Sequence, residues 1–183
     1  MSRIPVLTLV DAPEVVRPTL ERLGKRTGKL LNIHAEMAHS PVVLASYAAM
    51  ALAISEQGTF DARTREAIAL AVGNVDGCDY CQAAHTVSAT RAGFDTAQTV
   101  AIRAGQVDFD DKLAALIAVV REPAGEVGDV SDATWNTALD AGWTAEQLSE
   151  TFAHLAMNLF TNYFNHYART DLDVPAAPSL DSV

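Results

Sequence analysis

The chain has 183 residues, 49% hydrophobic and 20% charged, with 13 Lys and Arg against 23 Asp and Glu for a formal net charge of −10. That length suits one domain with a sizeable buried core, and the apolar content excludes disorder as the main state. The acidic balance argues against a nucleic-acid or anionic-membrane surface, because phosphate binding needs clustered Lys and Arg.

The opening stretch MSRIPVLTLVDAPE has one Arg, a short apolar run broken by Pro5 and no small-residue cleavage site, so it reads as part of the mature protein. The longest apolar run, residues 42–54, covers 13 residues. A bilayer span needs about 20, so this run predicts a buried or subunit-contacting helix. Apolar residues at helical spacing then trace a helix from Asp61, its cap, through Ala67, Ile68, Leu70, Ala71 and Val75. The next helix begins around Gly77 and Cys78, runs to Arg91 and is stopped by Gly93. Asp95 caps a short helix to about Ala104. Asp110 or Asp111 opens another through Leu113, Leu116, Ile117 and Val120, which Pro123 ends. Residues 122–130 read as a loop, and Ser131 caps a segment reaching Asp140 before Gly142. The last helix follows Thr144 and carries Phe152, Leu155, Ala156, Leu159, Phe160, Tyr163 and Tyr167, a stripe suited to a core or a subunit interface. With 32 alanines and no alternating β pattern, the fold class is all-α: one domain over residues 1–170 and a flexible, polar, Pro-containing tail over 171–183.

A shift of 49 residues exposes a faint internal helical repeat with ten identities between residues 60–104 and 109–153. Phe60-Asp61 falls on Phe109-Asp110, Ala92-Gly93 on Ala141-Gly142, Gln98 on Gln147, and Phe94 is replaced by Trp143. Five of the ten identities are alanine in an alanine-rich chain, so the match is suggestive only. Glu66, Cys78, Cys81 and His85 fall on Ala115, Val127, Val130 and Thr134, so the chemistry-bearing side chains belong to one half.

Those four residues form the informative segment. The only cysteines, Cys78 and Cys81, exclude a disulfide framework. In a cytoplasmic protein, such a close pair points to redox or metal chemistry. Both thiols fall in the first turn of a helix, where free N–H groups and the helix dipole favour a thiolate. They lie close enough for a disulfide. His85, four residues after Cys81, shares their face and can carry a proton, while Glu66 on the preceding helix is placed to relay one. Blander readings stand beside this one: two inert buried thiols, a core histidine, or Glu66 paired with Arg63. Zinc would need three or four Cys or His ligands with no second pair here, so neither a metal nor another cofactor is expected. His34 and His39 fall at helix boundaries, in capping or surface roles. His154 and His166 go with the last helix's core or interface stripe, and Trp135 and Trp143 read as packing residues.

Glu66, ten residues, GCDYCQAAH and then RAGF resemble the alkyl hydroperoxidase D-like family of the carboxymuconolactone decarboxylase superfamily. The resemblance is strongest over residues 47–105 and weaker through the His39-Ser40-Pro41 turn and the later helices. It implies an all-α fold in homo-oligomers and thiol-dependent reduction of hydroperoxides. By resemblance, Cys81 is the peroxide-attacking cysteine, Cys78 its resolving partner, and Glu66 and His85 the proton relay. The implied partners are a hydroperoxide substrate and an external dithiol, a lipoyl or thioredoxin-like protein. The chain departs from the family pattern at Tyr80, where the founding peroxidase has a second histidine. Tyrosine, with a reference pKa of about 10, cannot act as a neutral-pH base there; it could instead line the substrate entrance. Two other classes remain open: a lactone-type decarboxylase, which needs no cysteine pair, and a non-catalytic oligomeric binding protein.

Overall fold

A computed structural model describes residues 1–182, and they are all-helical, with no strand among them. After a 3-10 turn at Glu14–Val16 come α1 (Arg17–Thr27), α2 (Asn32–Met37), α3 (Pro41–Gln57), α4 (Ala62–Val75), α5 (Asp79–Arg91), α6 (Thr96–Ala104), α7 (Asp111–Gly125), α8 (Asp132–Asp140) and α9 (Ala145–Ala168). The helix starts expected from the sequence are found at their capping residues. Asp61, Asp95, Asp110, Ser131 and Thr144 each accept a backbone N–H three residues on, and Asp95 and Thr144 complete capping boxes with Gln98 and Gln147.

α4 is the central element. It is buried from Ala67 to Gly73 and packs against α5, α6, α7 and α9, as expected of a helix apolar on every side. On one side lies a core of Ile68, Leu70, Ile102, Leu116 and Val120. On the other, α1, α2 and α3 close a second core that includes Cys78, Tyr80 and Cys81.

The repeat is visible in three dimensions. Arg63 sits 4.0 Å over the Phe94 ring and donates to the Gly93 carbonyl. Forty-nine residues on, Lys112 sits 4.5 Å over the Trp143 ring and donates to the Gly142 carbonyl. Both glycines have positive φ, +99° and +89°, the left-handed conformation that ends a helix. The aromatic partners are exchanged between halves: Phe60 meets Trp143 edge-on, and Phe109 meets Phe94.

Several expectations are corrected. Pro123 does not end α7; it sits in the last turn, where its missing N–H removes a single bond, and the helix continues to Gly125. The expected loop therefore shortens to a reversal through Val127 and Gly128, both at positive φ. Trp135 is exposed, although Trp143 packs as expected. On α9, Leu155 is buried, but Phe152, Tyr163 and Tyr167 are 66%, 60% and 71% exposed and so are not core, while Thr151, Asn158, Thr161, Asn162 and Asn165 face inward. Residues 171–182, expected as a flexible tail, run back along the body. Asp171 bonds Ser2, Asp173 takes hydrogen bonds from Tyr80 and Asn32, and the Pro178 carbonyl accepts from Arg103. Val183, the last residue of that expected tail, lies outside the described residues.

Candidate active site

The site is built where α4 turns into α5. Gly77, at φ +63°, makes a reversal that a Cβ would strain, and delivers Cys78 to the N-cap of α5. The Cys78 sulfur takes the place of a capping oxygen, accepting the Cys81 N–H at 3.3 Å. Both thiols are free and buried. Behind them, α9 supplies Asn165, whose Nδ2 donates to the Cys81 sulfur at 3.2 Å and lies 3.8 Å from the Cys78 sulfur. The Thr161 hydroxyl, which donates to backbone carbonyls of α9, lines the same cavity as Cys81.

This arrangement polarises the pair. The neighbouring Cys81 thiol, with the capped N–H, lowers the Cys78 pKa from 9.0 to about 7 despite burial. The adjoining Cys78 sulfur, together with burial, pushes Cys81 well above its ordinary value. The two thiols titrate as a pair, and the opposite directions of their shifts favour the first negative charge on Cys78.

One turn further along α5, His85 Nδ1 lies 2.8 Å from Glu66 Oε2 on α4. The alternative pairing of Glu66 with Arg63 is not found, since Arg63 is engaged at Phe94. The His85 side chain remains 30% exposed. Burial lowers its pKa, but the Glu66 charge and hydrogen bond outweigh this, so the net shift is upward. With Nδ1 held by the carboxylate, Nε2 is left for proton exchange.

Cys81, His85 and Glu66 line one cavity of about 730 Å³; Cys78 does not, lying behind Cys81. The opposite wall carries residues the sequence had not singled out for the site. His34, placed by the sequence at a boundary or surface, is buried in α2, with its Nε2 3.2 Å from the Tyr47 hydroxyl. Burial brings its pKa down to about 4, so the ring is neutral. Arg26 donates to the same hydroxyl at 3.1 Å. His154 also lines the cavity, bonded to Glu150, whereas His39 is exposed as expected and His166 bonds the Asp76 carbonyl. Tyr80 lines the cavity too. Its hydroxyl donates to Asp173 at 2.6 Å, and burial raises its pKa. Asp173, ion-paired with Lys29 at 3.1 Å, thereby brings the C-terminal strap into the cavity wall. No group of three or more His, Cys, Asp and Glu side chains is arranged to hold a metal among the described residues. No helix among them is long and apolar enough to cross a membrane.

Two kinds of comparison bear on this arrangement. The sequence model of the carboxymuconolactone decarboxylase family matches residues 41–122, the stretch from α3 to the end of α7 that holds all four candidate residues. The fold is shared with solved structures at low sequence identity. A peroxidase-related protein from Ralstonia eutropha JMP134, described as an alkylhydroperoxidase AhpD core, superposes at TM-score 0.84 with 19% identity, over 94% of this chain and 92% of its own. The debrominase Bmp8 bound to 2,3,4-tribromopyrrole gives 0.81 and 19%, over 94% and 92%. A peroxidase-related protein from Silicibacter sp. TM1040 gives 0.77 and 15%, over 92% and 89%. Among proteins of curated function, none matches the sequence. Residues 41–122 thus match the carboxymuconolactone decarboxylase family, and the chain as a whole has the fold of the alkylhydroperoxidase D core.

Proposed function

We propose that the protein is a thiol-dependent hydroperoxide reductase in which Cys81 attacks, Cys78 resolves and Glu66–His85 relays the proton. The observation carrying this reading is that Cys81 opens on the cavity beside His85, with a low-pKa Cys78 immediately behind it. The first charge of the pair is favoured on Cys78, so the reaction opens with proton transfer from Cys81 to the Cys78 thiolate. The Cys81 thiolate then attacks the peroxide oxygen. The S–O bond forms as O–O breaks, and His85 protonates the departing alkoxide, giving Cys81 sulfenic acid and an alcohol. Cys78 next attacks that sulfenic sulfur, forming the disulfide and releasing water. An external dithiol, on a lipoyl or thioredoxin-like protein, reduces the disulfide by exchange. Such a cycle belongs in a reducing compartment, the cytoplasm.

Tyr80 is bonded to Asp173 and does not replace a proton-carrying histidine. In this reading it shapes the cavity and leaves the relay to Glu66–His85. The exposed apolar residues of α3 (Val42 and Leu52) and α9 (Phe152, Tyr163 and Tyr167) support assembly into a homo-oligomer.

The test is to add a hydroperoxide to the reduced protein and follow both thiols by mass. Wild type should lose two hydrogen atoms as the disulfide forms, Cys78→Ser should stop at a sulfenic acid on Cys81, and Cys81→Ser should consume no peroxide. Peroxide consumption by Cys81→Ser at the wild-type rate sinks the proposal. A reaction that survives alkylation of both thiols would point instead to decarboxylase chemistry. A second reading draws on the debrominase of like fold: a dithiol also supplies the two electrons needed to replace carbon-bound bromine with hydrogen. A bromopyrrole offered in the same assay separates the two, because bromide release would accompany disulfide formation.

A further inference from the structure

The cavity above Cys81 carries more positive charge than the dithiol chemistry uses. In a chain of net charge −10, Arg26, Lys29, Arg65 and Arg91 all line it. Two carboxylates face them, but Glu66 is engaged by His85, and Asp173 by Lys29 and Tyr80. Arg26, Arg65 and Arg91 make no ion pair among the described residues. Three like charges around one opening, none of them paired, repel one another and focus a field that attracts an anion.

Arg26 is the best placed of the three. One N–H of its fork is anchored on the Tyr47 hydroxyl. The Tyr47 hydroxyl is itself held 3.2 Å from the His34 Nε2, and both rings are buried. The anchor therefore holds the guanidinium in place while its other N–H groups stay free for a planar, bidentate acceptor. Beneath this rim the walls turn apolar at Ile33, Ile54, Ala69 and Met157.

We propose that the cavity binds an amphipathic organic acid: a carboxylate-bearing hydroperoxide whose carboxylate docks on Arg26, within the field of Arg65 and Arg91, and whose apolar body lies over Cys81. The identity of the reacting group rests on the peroxidase reading; the charge selectivity does not. The test therefore has a kinetic arm and a binding arm. In the first, reduced protein meets 4-carboxycumyl hydroperoxide and its methyl ester, which share one O–O bond and differ in charge. The acid should oxidise the dithiol about tenfold faster, the worth of one charge-assisted hydrogen bond. Raised salt should shrink that ratio, and Arg26→Met should bring it towards one. In the second arm, calorimetry compares 4-isopropylbenzoate with its methyl ester, neither of which can react. The acid should bind wild type more tightly, and Arg26→Met should remove the difference. Equal reaction and equal binding of acid and ester, or a preference that survives in Arg26→Met, overturns the proposal. If no hydroperoxide oxidises the thiols but the benzoate still binds through Arg26, the peroxidase reading fails and the charge selectivity stands.

Discussion

Asn165→Leu separates the chemistry of the thiol pair from the stability of the fold. The asparagine sends Nδ2 to the Cys81 sulfur at 3.2 Å and, more distantly, to Cys78 at 3.8 Å, while its Oδ1 is buried without a partner. Leucine fills a similar volume and donates nothing. A hydrogen bond to a charged acceptor is worth about 1.5–3 kcal/mol, and the sharing of one donor between two sulfurs places this one near the lower end. Since 1.36 kcal/mol is one pKa unit, the thiolate-forming pKa should rise by about one unit from its value of about 7. At pH 7 the thiolate fraction then falls from about one half to about one tenth, slowing alkylation about fivefold. Stability should hold or increase, because a buried carbonyl oxygen lacking a partner has been removed. Iodoacetamide labelling followed by mass across pH reads the first effect, and urea unfolding the second. An unchanged midpoint of labelling in a folded variant would refute the reasoning, as would a stability loss above about 2 kcal/mol.

Three further outcomes are expected. Glu66→Gln should destabilise the protein by about 1 kcal/mol near pH 5.5 and by much less near pH 8.5. The folded pKa of His85 is raised above 6.5, so its contribution is complete below that value and fades as pH rises through the folded pKa; equal losses at both pH values in urea titrations would contradict this. Tyr80→Phe should release the strap from its Asp173 bond, cost about 1 kcal/mol and speed proteolytic cleavage within residues 174–182. Unaltered cleavage kinetics would show that Lys29 and Asn32 suffice. Lys112→Ala should cost about 1 kcal/mol and shift Trp143 fluorescence, with Arg63→Ala costing as much without that shift; loss in only one variant would break the equivalence of the two seats.

The parts of this protein legible in its sequence are those set by local rules. Asp61, Asp95, Asp110, Ser131 and Thr144 cap helices because a short side-chain oxygen reaches the N–H three residues on, a relation contained in four letters of sequence. Spacing alone likewise places His85 one turn from Cys81, and the structure adds Glu66 at 2.8 Å from the imidazole. The far wall of the cavity was not legible, because His34, Tyr47 and Asp173 reach it only through tertiary packing. Asn165 did leave a signal. Asn158, Asn162 and Asn165 recur at intervals of four and three along α9, marking a polar face of the same width as the aromatic one. The aromatic face was read as core or interface, yet the asparagines point inward because buried sulfurs, carbonyls and carboxylates there need donors.

The exchange of aromatic partners between the two halves bears on how the chain folds. Phe60 rests against Trp143 and Phe109 against Phe94, so each half is closed by a ring belonging to the other. Neither half can complete its own packing, and the molecule should melt in a single cooperative transition. The same reciprocity supplies a route to error. If the link between α6 and α7 opens while both halves stay folded, each exposed ring seat is equally well filled by a second molecule opened in the same way. The product is an intertwined dimer with every native contact preserved except those of the hinge.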